Sequence, residues 1–353
     1  MTTNGDSTTP TGEDTVRRAL VEFPGISSRA YEHPADRSAL TALRKVPYAD
    51  QVLKKLAGLF SERRLRLLFL ASAARVDEDQ FPHLHRIRNE AARVLDLPVV
   101  PELYVSQESH PNAIAVGIDR PFIVLTSESV DLYDDEELRF IIGHECGHIL
   151  SGHAVYSSVL FALLRLTGLG SAIPLWSLAL RGIVHALKEW YRKAELSSDR
   201  AGLLVVQDVS VATRAHLKMA AGAHVDDMDF QAFLRQGEEY NSTGDARDGV
   251  ARLLNMLDTT HPFAAVRAVE LGRWVGSGEY DRVRGGDYPR RADDHETSFT
   301  EEVKRAASSY KESWDSSEDA LVKTLRDMGG GAADLGGKVF DKVRDYVRPR
   351  GGN

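Results

Sequence analysis

The sequence predicts an α+β protein, mostly helical, with a small antiparallel sheet beside one helix that carries an H-E-x-x-H motif. Three observations predict it. Apolar residues recur at helical spacing through most of the 353-residue chain. Three short runs, 102–106, 113–116 and 122–126, are rich in Val and Ile and are separated by Pro, Gly and Asn, as strands are. Residues 143–150 read Gly-His-Glu-Cys-Gly-His-Ile-Leu and lie between those runs and a long helical region.

Taken in order, residues 1–30 are polar and read as a disordered leader with too little apolar surface to build a core. Residues 31–79 form an N-terminal helical segment, in which Val52, Leu56, Leu59 and Phe60, then Leu65, Leu68 and Phe69, keep a helical period. A central domain over 80–275 follows. It opens with a helix over 81–95, stopped by Pro98 and Pro101, and continues into the three strands. Asp134 with Glu137 three residues on is an acidic form of the capping box, so a helix starts there and runs to about Ser151. Residues 154–187 are an apolar helical insert, and further helices are expected over 188–207, 211–221, 230–239, 246–257 and 264–274. Residues 276–298 read as a Gly- and Arg-rich linker. A C-terminal helical tail over 299–353 ends in an amphipathic helix, with Val339, Phe340, Val343, Tyr346 and Val347 on one face and Lys338, Lys342, Arg344 and Arg348 opposite.

The net charge of −8 gives no basic face for nucleic acid. One cysteine, Cys146, excludes an intrachain disulfide, and the first residues lack the basic and apolar regions of a secretory signal, so the cytoplasm is the expected location. The alternative is membrane association. The stretch 154–184 is apolar but broken by Arg165, Gly168, Gly170 and Pro174, which favours a buried hairpin over a spanning helix. Peripheral membrane contact through 154–184 or the last helix stays open.

On a helix, His144 and His148 share one face and can aim both imidazoles at one ion, while Glu145 stands about 100° round the helix, beside the metal but not on it. Two surface histidines would also make this pattern, but Phe140, Ile141, Ile142, Ile149 and Leu150 surround them with apolar residues, and buried imidazoles need partners. Glu195 can complete a His₂Glu zinc site with one open position, and Asp199, one turn on, can accept a hydrogen bond from a ligand histidine, His144 foremost. The competing reading makes Glu195 and Asp199 a solvated face among Lys193 and Arg200. Cys146 is expected to pack as a small apolar residue, and His153, five positions after His148, to lie off its face at a helix end.

These residues resemble a known family. Gly-His-Glu-Cys-Gly-His, Glu195 with Asp199, Asn112-Ala113 upstream and His261-Pro262 downstream are similar to the gluzincins that include the HtpX heat-shock peptidases and the type 1 prenyl-protein (CAAX) proteases. The resemblance covers about 80–275 and implies a zincin-like catalytic domain holding one Zn²⁺. It implies that 111–117 is an edge strand beside the metal, where Asn112 and Ala113 could receive a substrate backbone as an added strand. It also implies that His261 approaches the pocket to stabilise an oxyanion or to control access, although a histidine before proline at a helix start is often structural.

The expected function is a zinc-dependent endopeptidase, with Glu145 as general base on metal-activated water and a peptide or unfolded protein as substrate. The alternative is a zinc-stabilised binding or scaffold protein with little turnover.

Overall fold

The computed structural model describes residues 19–37, 62–158, 160, 176–242 and 263–295. Helix α1 (Glu62–Ser72) leads into strand β1 (Ala74–Arg75), and helix α2 (Pro82–Val94) follows with Pro82 at its first position, where the missing N–H costs nothing. Strands β2 (Leu103–Ser106), β3 (Ala113–Val116) and β4 (Phe122–Thr126) fall on the three predicted runs. A short helix α3 (Ser127–Leu132) precedes α4 (Asp135–Leu150). Further helices are α5 (Trp176–Val206), α6 (Val209–Ala221), α7 (Phe230–Ser242), α8 (Ala264–Gly276) and α9 (Glu279–Arg284).

The sheet has four strands in the order β1-β2-β4-β3 and is mixed rather than antiparallel throughout, because β4 inserts between β3 and β2 and runs parallel to β2. Its residues explain the position. All five β4 residues are buried, the pattern of a central strand covered on both faces, whereas β3 lies between Pro111 and Gly117 at an edge. Strand β1 was hidden in the N-terminal helical segment. At two residues it is too short for a period.

Helix α4 starts with a complete capping box. Asp134 accepts from the Glu137 N–H and Glu137 from the Asp134 N–H, each at 2.9 Å. Lys218 and Arg214 of α6 neutralise the buried Glu137 carboxylate. From Phe140 to His148 every residue of α4 is buried, with α2, α5 and α6 around it and β3 alongside.

Two expected boundaries move. Residues 19–30 of the expected leader belong to the core in part, since Phe23 and Ile26 are fully buried and Ile26 pairs with Arg290. The expected linker is shaped by α9 and a 3₁₀ turn at Arg291–His295, with Tyr280 and Val283 buried. Helix α5 starts at Trp176, inside the expected insert, and continues without a break to Val206. Among the described residues no helix is long and apolar enough to cross a membrane. The expected helix over 246–257, most of the expected insert before Trp176 and the C-terminal tail lie outside the described residues.

Candidate metal centre

Helices α4 and α5 bring four of the expected residues to one point. His144 and His148 occupy one face of α4, with their Nε2 atoms 3.1 Å apart. Glu195 on α5 closes the group, with Oε1 at 3.2 Å from His148 Nε2 and Oε2 at 3.6 Å from His144 Nε2. One ligand atom from each residue lies within 4.8 Å of the others, and all three residues are buried. The close approach of α4 and α5 depends on Gly143 and Gly147: a Cβ on either would stand 2.6 or 2.5 Å from the Cβ of Val205 or Ala201.

These residues fit a metal ion on two counts. Ligand atoms bound tetrahedrally at about 2.0–2.1 Å stand about 3.3 Å apart, close to the separations here. The charges agree as well. Three buried carboxylates, Glu145, Glu195 and Asp199, gather round the guanidinium of Arg267 and the imidazole of His144, whose raised pKa shows that the site favours further positive charge there, as a cation would supply.

Asp199 lies behind His144. When Nε2 faces the ion, Nδ1–H of His144 donates to Asp199 Oδ1 at 3.0 Å. Arg267 of α8 grips the same carboxylate at both oxygens, Nη2 to Oδ1 at 2.5 Å and Nε to Oδ2 at 2.8 Å, and reaches Glu195 Oε2 with Nη1 at 3.1 Å. His216 of α6 adds Nε2 at 3.4 Å from Asp199 Oδ2. Burial alone would raise the Asp199 pKa, but Arg267 outweighs it and holds the carboxyl well below the usual range.

The other groups shift as burial and charge dictate. Burial favours neutral His144, but Glu195 and Asp199 outweigh it and hold its pKa at about 9. Burial takes His148 down to about 4 against the pull of Glu195. Glu145 is raised to about 7, first by burial, with the Glu195 charge adding to it and His144 opposing. Its Oε1 lies 4.0 Å from His144 Nε2, and its buried Oε2 has no hydrogen-bond partner.

A cavity of about 870 Å³ opens on this group and is lined by His144, Glu145, Glu195 and Arg267. Asn112 and Ala113 line its rim, where the Asn112 side chain accepts from the Ala113 N–H at 3.0 Å. Of the expected residues, His261 lies outside those described. Cys146 packs in the core as a thiol raised to about 12 by burial.

His153 corrects its expectation. It is buried with Nδ1 at 3.2 Å from His148 Nδ1, because Gly152 at φ +71° ends the helical path and turns His153 back. Arg267 and His216 were missed. The one available signal was a charge between Ala265 and Ala268 on the apolar face of a predicted helix. Tyr191, one turn before Glu195, stacks on His148 with centroids 5.6 Å apart and 6° between planes.

The model of the family described as Peptidase family M48 matches residues 78–275, more than half of the chain. The chain belongs to peptidase family M48. It is a metallopeptidase by that membership, and its curated relatives are named accordingly. Plastoglobule-localized metallopeptidase 48, chloroplastic, of Arabidopsis thaliana is 31% identical over 263 residues, 73% of this chain and 76% of that protein. A protease HtpX homolog of Tropheryma whipplei is 32% identical over 116 residues, 32% of this chain and 40% of its own length. One of Kineococcus radiotolerans is 37% identical over 90 residues, 25% of this chain and 30% of its own. No solved structure matches the chain. The expected cytoplasmic location is overturned by the Arabidopsis relative, the one of these three matched over most of both chains, whose name places it in the plastoglobule.

Proposed function

We propose that this M48 metallopeptidase is a zinc-dependent endopeptidase of the gluzincin type, with His144, His148 and Glu195 holding one Zn²⁺ and Glu145 as general base. One observation carries the assignment of the base. The Glu145 Oε2 is buried, unpartnered and beside the proposed ligand group on the wall of the cavity, so that oxygen can take a proton there. Zinc, when bound, supplies a Lewis acid that polarises a carbonyl and makes water acidic near neutral pH.

The chain's own residues do the rest. Glu145 accepts the proton of the attacking water and hands it to the leaving amine, so that the peptide bond breaks with no net proton change at the enzyme. A substrate backbone lies along the outer edge of β3 at Asn112 and Ala113, where main-chain pairing demands no particular side chain. Farther along that edge Ser157 Oγ donates to the Ala115 carbonyl and the Gly117 N–H donates to Ser158 Oγ, and the Ala113 N–H is held by Asn112 Oδ1, so the substrate pairs with the Ala113 carbonyl. This favours flexible or unfolded polypeptides, which can extend. The part of His261 in stabilising an oxyanion or controlling access rests on the family resemblance alone.

The plastoglobule in the name of the Arabidopsis relative favours membrane association over the cytoplasm, and the apolar stretch 154–184 or the amphipathic pattern over 338–348 would serve such contact. Cleavage of a disordered protein by the wild type and by Glu145→Gln at equal zinc content tests the mechanism. The variant should keep its zinc and lose activity by at least about 100-fold. Equal cleavage by the two would refute the base, and a wild type that binds zinc without turnover would favour a scaffold.

A further inference from the structure

The metal centre has a second support that reaches outside the family-matched residues 78–275. We infer that His153 and Asp36 are positioning residues for His148, so that the N-terminal segment completes the zinc site. This rests on the proposed ligation of zinc by His148.

The hydrogen bonds run in one direction only. When Nε2 of His148 faces the ion, its Nδ1 carries the proton and must donate. The atom in reach is Nδ1 of His153 at 3.2 Å, which must then accept. A neutral His153 accepting at Nδ1 carries its proton on Nε2, and Nε2 stands 3.2 Å from Asp36 Oδ2. That oxygen also accepts from Ser197 Oγ at 2.6 Å, and Ser197 Oγ accepts from the His33 N–H at 2.9 Å. Every proton in the chain is assigned once the first is. His148, His153, Asp36 and Ser197 are all buried, so bulk water does not compete for these groups.

The two ligand histidines are therefore oriented differently. His144 meets its carboxylate directly in Asp199, whereas His148 meets one through an intervening imidazole. The Asp36 charge polarises the His153 ring, which makes its Nδ1 a better acceptor and His148 a better donor to the ion. The segment that brings Asp36 is held in place independently. The Tyr31 hydroxyl lies 3.3 Å from the Gly147 carbonyl and 3.1 Å from Ser151 Oγ, both at the end of α4.

The test compares zinc affinity, by competition with a chromophoric chelator, in the full-length wild type, Asp36→Asn, His153→Phe and His153→Asn. Visible spectra of the cobalt-substituted proteins and melting of the metal-free proteins accompany it. Asp36→Asn should weaken zinc about tenfold and His153→Phe about 100-fold, each with a changed cobalt spectrum. His153→Asn, whose Oδ1 can replace the Nδ1 acceptor, should recover part of the loss. Wild-type affinity and spectrum in Asp36→Asn and His153→Asn would reduce the chain to a structural clasp and overturn the inference, whatever their melting temperatures. His148→Ala separates the two readings: zinc retained there overturns the ligand assignment itself, whereas zinc lost there with Asp36→Asn unaffected overturns the positioning alone.

Discussion

Arg267 and Asp199 form a buried two-point ion pair, with guanidinium nitrogens 2.5 and 2.8 Å from the two carboxylate oxygens. Neither group is stable alone at that depth, and the planar fork of arginine matches the carboxylate in a way that a lysine ammonium cannot. Because Nη1 also reaches Glu195, one arginine ties the carboxylate behind His144 to the proposed third ligand.

Removing that arginine strands two carboxylates. Arg267→Ala should cost the metal-free protein about 3–5 kcal/mol, the usual penalty for leaving a buried charge unpaired. Arg267→Lys should restore only part of this. Denaturant titration of the metal-free proteins measures both. A loss below about 1 kcal/mol in Arg267→Ala would mean that the pair does not carry the fold there.

Glu195 and Asp199 should separate by metal content. After dialysis, Glu195→Ala and His148→Ala should emerge without stoichiometric zinc, since each removes a proposed ligand. Asp199→Asn should retain zinc with affinity lowered about 10–100-fold, because it weakens the partner of His144 and Arg267 without removing a proposed ligand. Elemental analysis decides it, and full zinc in Glu195→Ala would remove Glu195 from the ligand set.

The part of this site legible in the sequence is the part governed by a single helix. His144 and His148 share a face by period alone, and Asp134 with Glu137 marks the start of that helix through local bonds. Glu195 and Asp199 were legible as one turn of another helix, and their meeting with His144 across 55 residues was expected from the ligands a metal needs and from the family resemblance, not from any local period. His153 was misplaced because helical period was extended through Gly152, where a positive φ breaks it. Asp36 and Arg267 gave less still, since a single charge in a helical pattern looks like a solvated face until tertiary contacts are known. The parallel pairing of β2 with β4 was not legible for the same reason. Alternation marks strands but not which edge a later strand joins.

Glu62 links stability to pH away from the metal. Its carboxylate accepts the N–H groups of Ile118 and Asp119 at 2.7 and 2.9 Å, and that of Arg120 at 3.2 Å, tying α1 to the turn between β3 and β4. Burial would raise its pKa, but these donors and Arg66 outweigh it and lower the pKa from 4.5. The unfolded chain therefore binds the proton more readily. The Glu62 contribution is complete above the unfolded value and disappears as pH falls through the folded one. Glu62→Gln should be less stable by about 1–2 kcal/mol at pH 7, kept low by solvent screening, and should converge with wild type in acid. Denaturation midpoints from pH 7 to 3 check this, and a constant difference across that range would count against it.

The glycines of the motif helix make the last prediction. Gly143 and Gly147 are one turn apart on α4 and face Val205 and Ala201, one turn apart on α5. A Cβ at 147 would fall 2.5 Å from the Cβ of Ala201, an atom with no torsion to rotate away, so the helices themselves must separate. That displacement moves His144 and His148 away from Glu195. Gly147→Ala gains up to about 1 kcal/mol in helix propensity, yet overpacking should dominate and cost about 1–3 kcal/mol net, with weaker zinc binding. Ala201→Gly removes the opposing methyl and alone should cost about 1 kcal/mol. The double variant should then bind zinc more tightly than Gly147→Ala and show a coupling of at least about 1 kcal/mol in a double-mutant cycle. Additive losses would show that the seam between α4 and α5 tolerates a methyl, and that the approach of the two helices is set elsewhere.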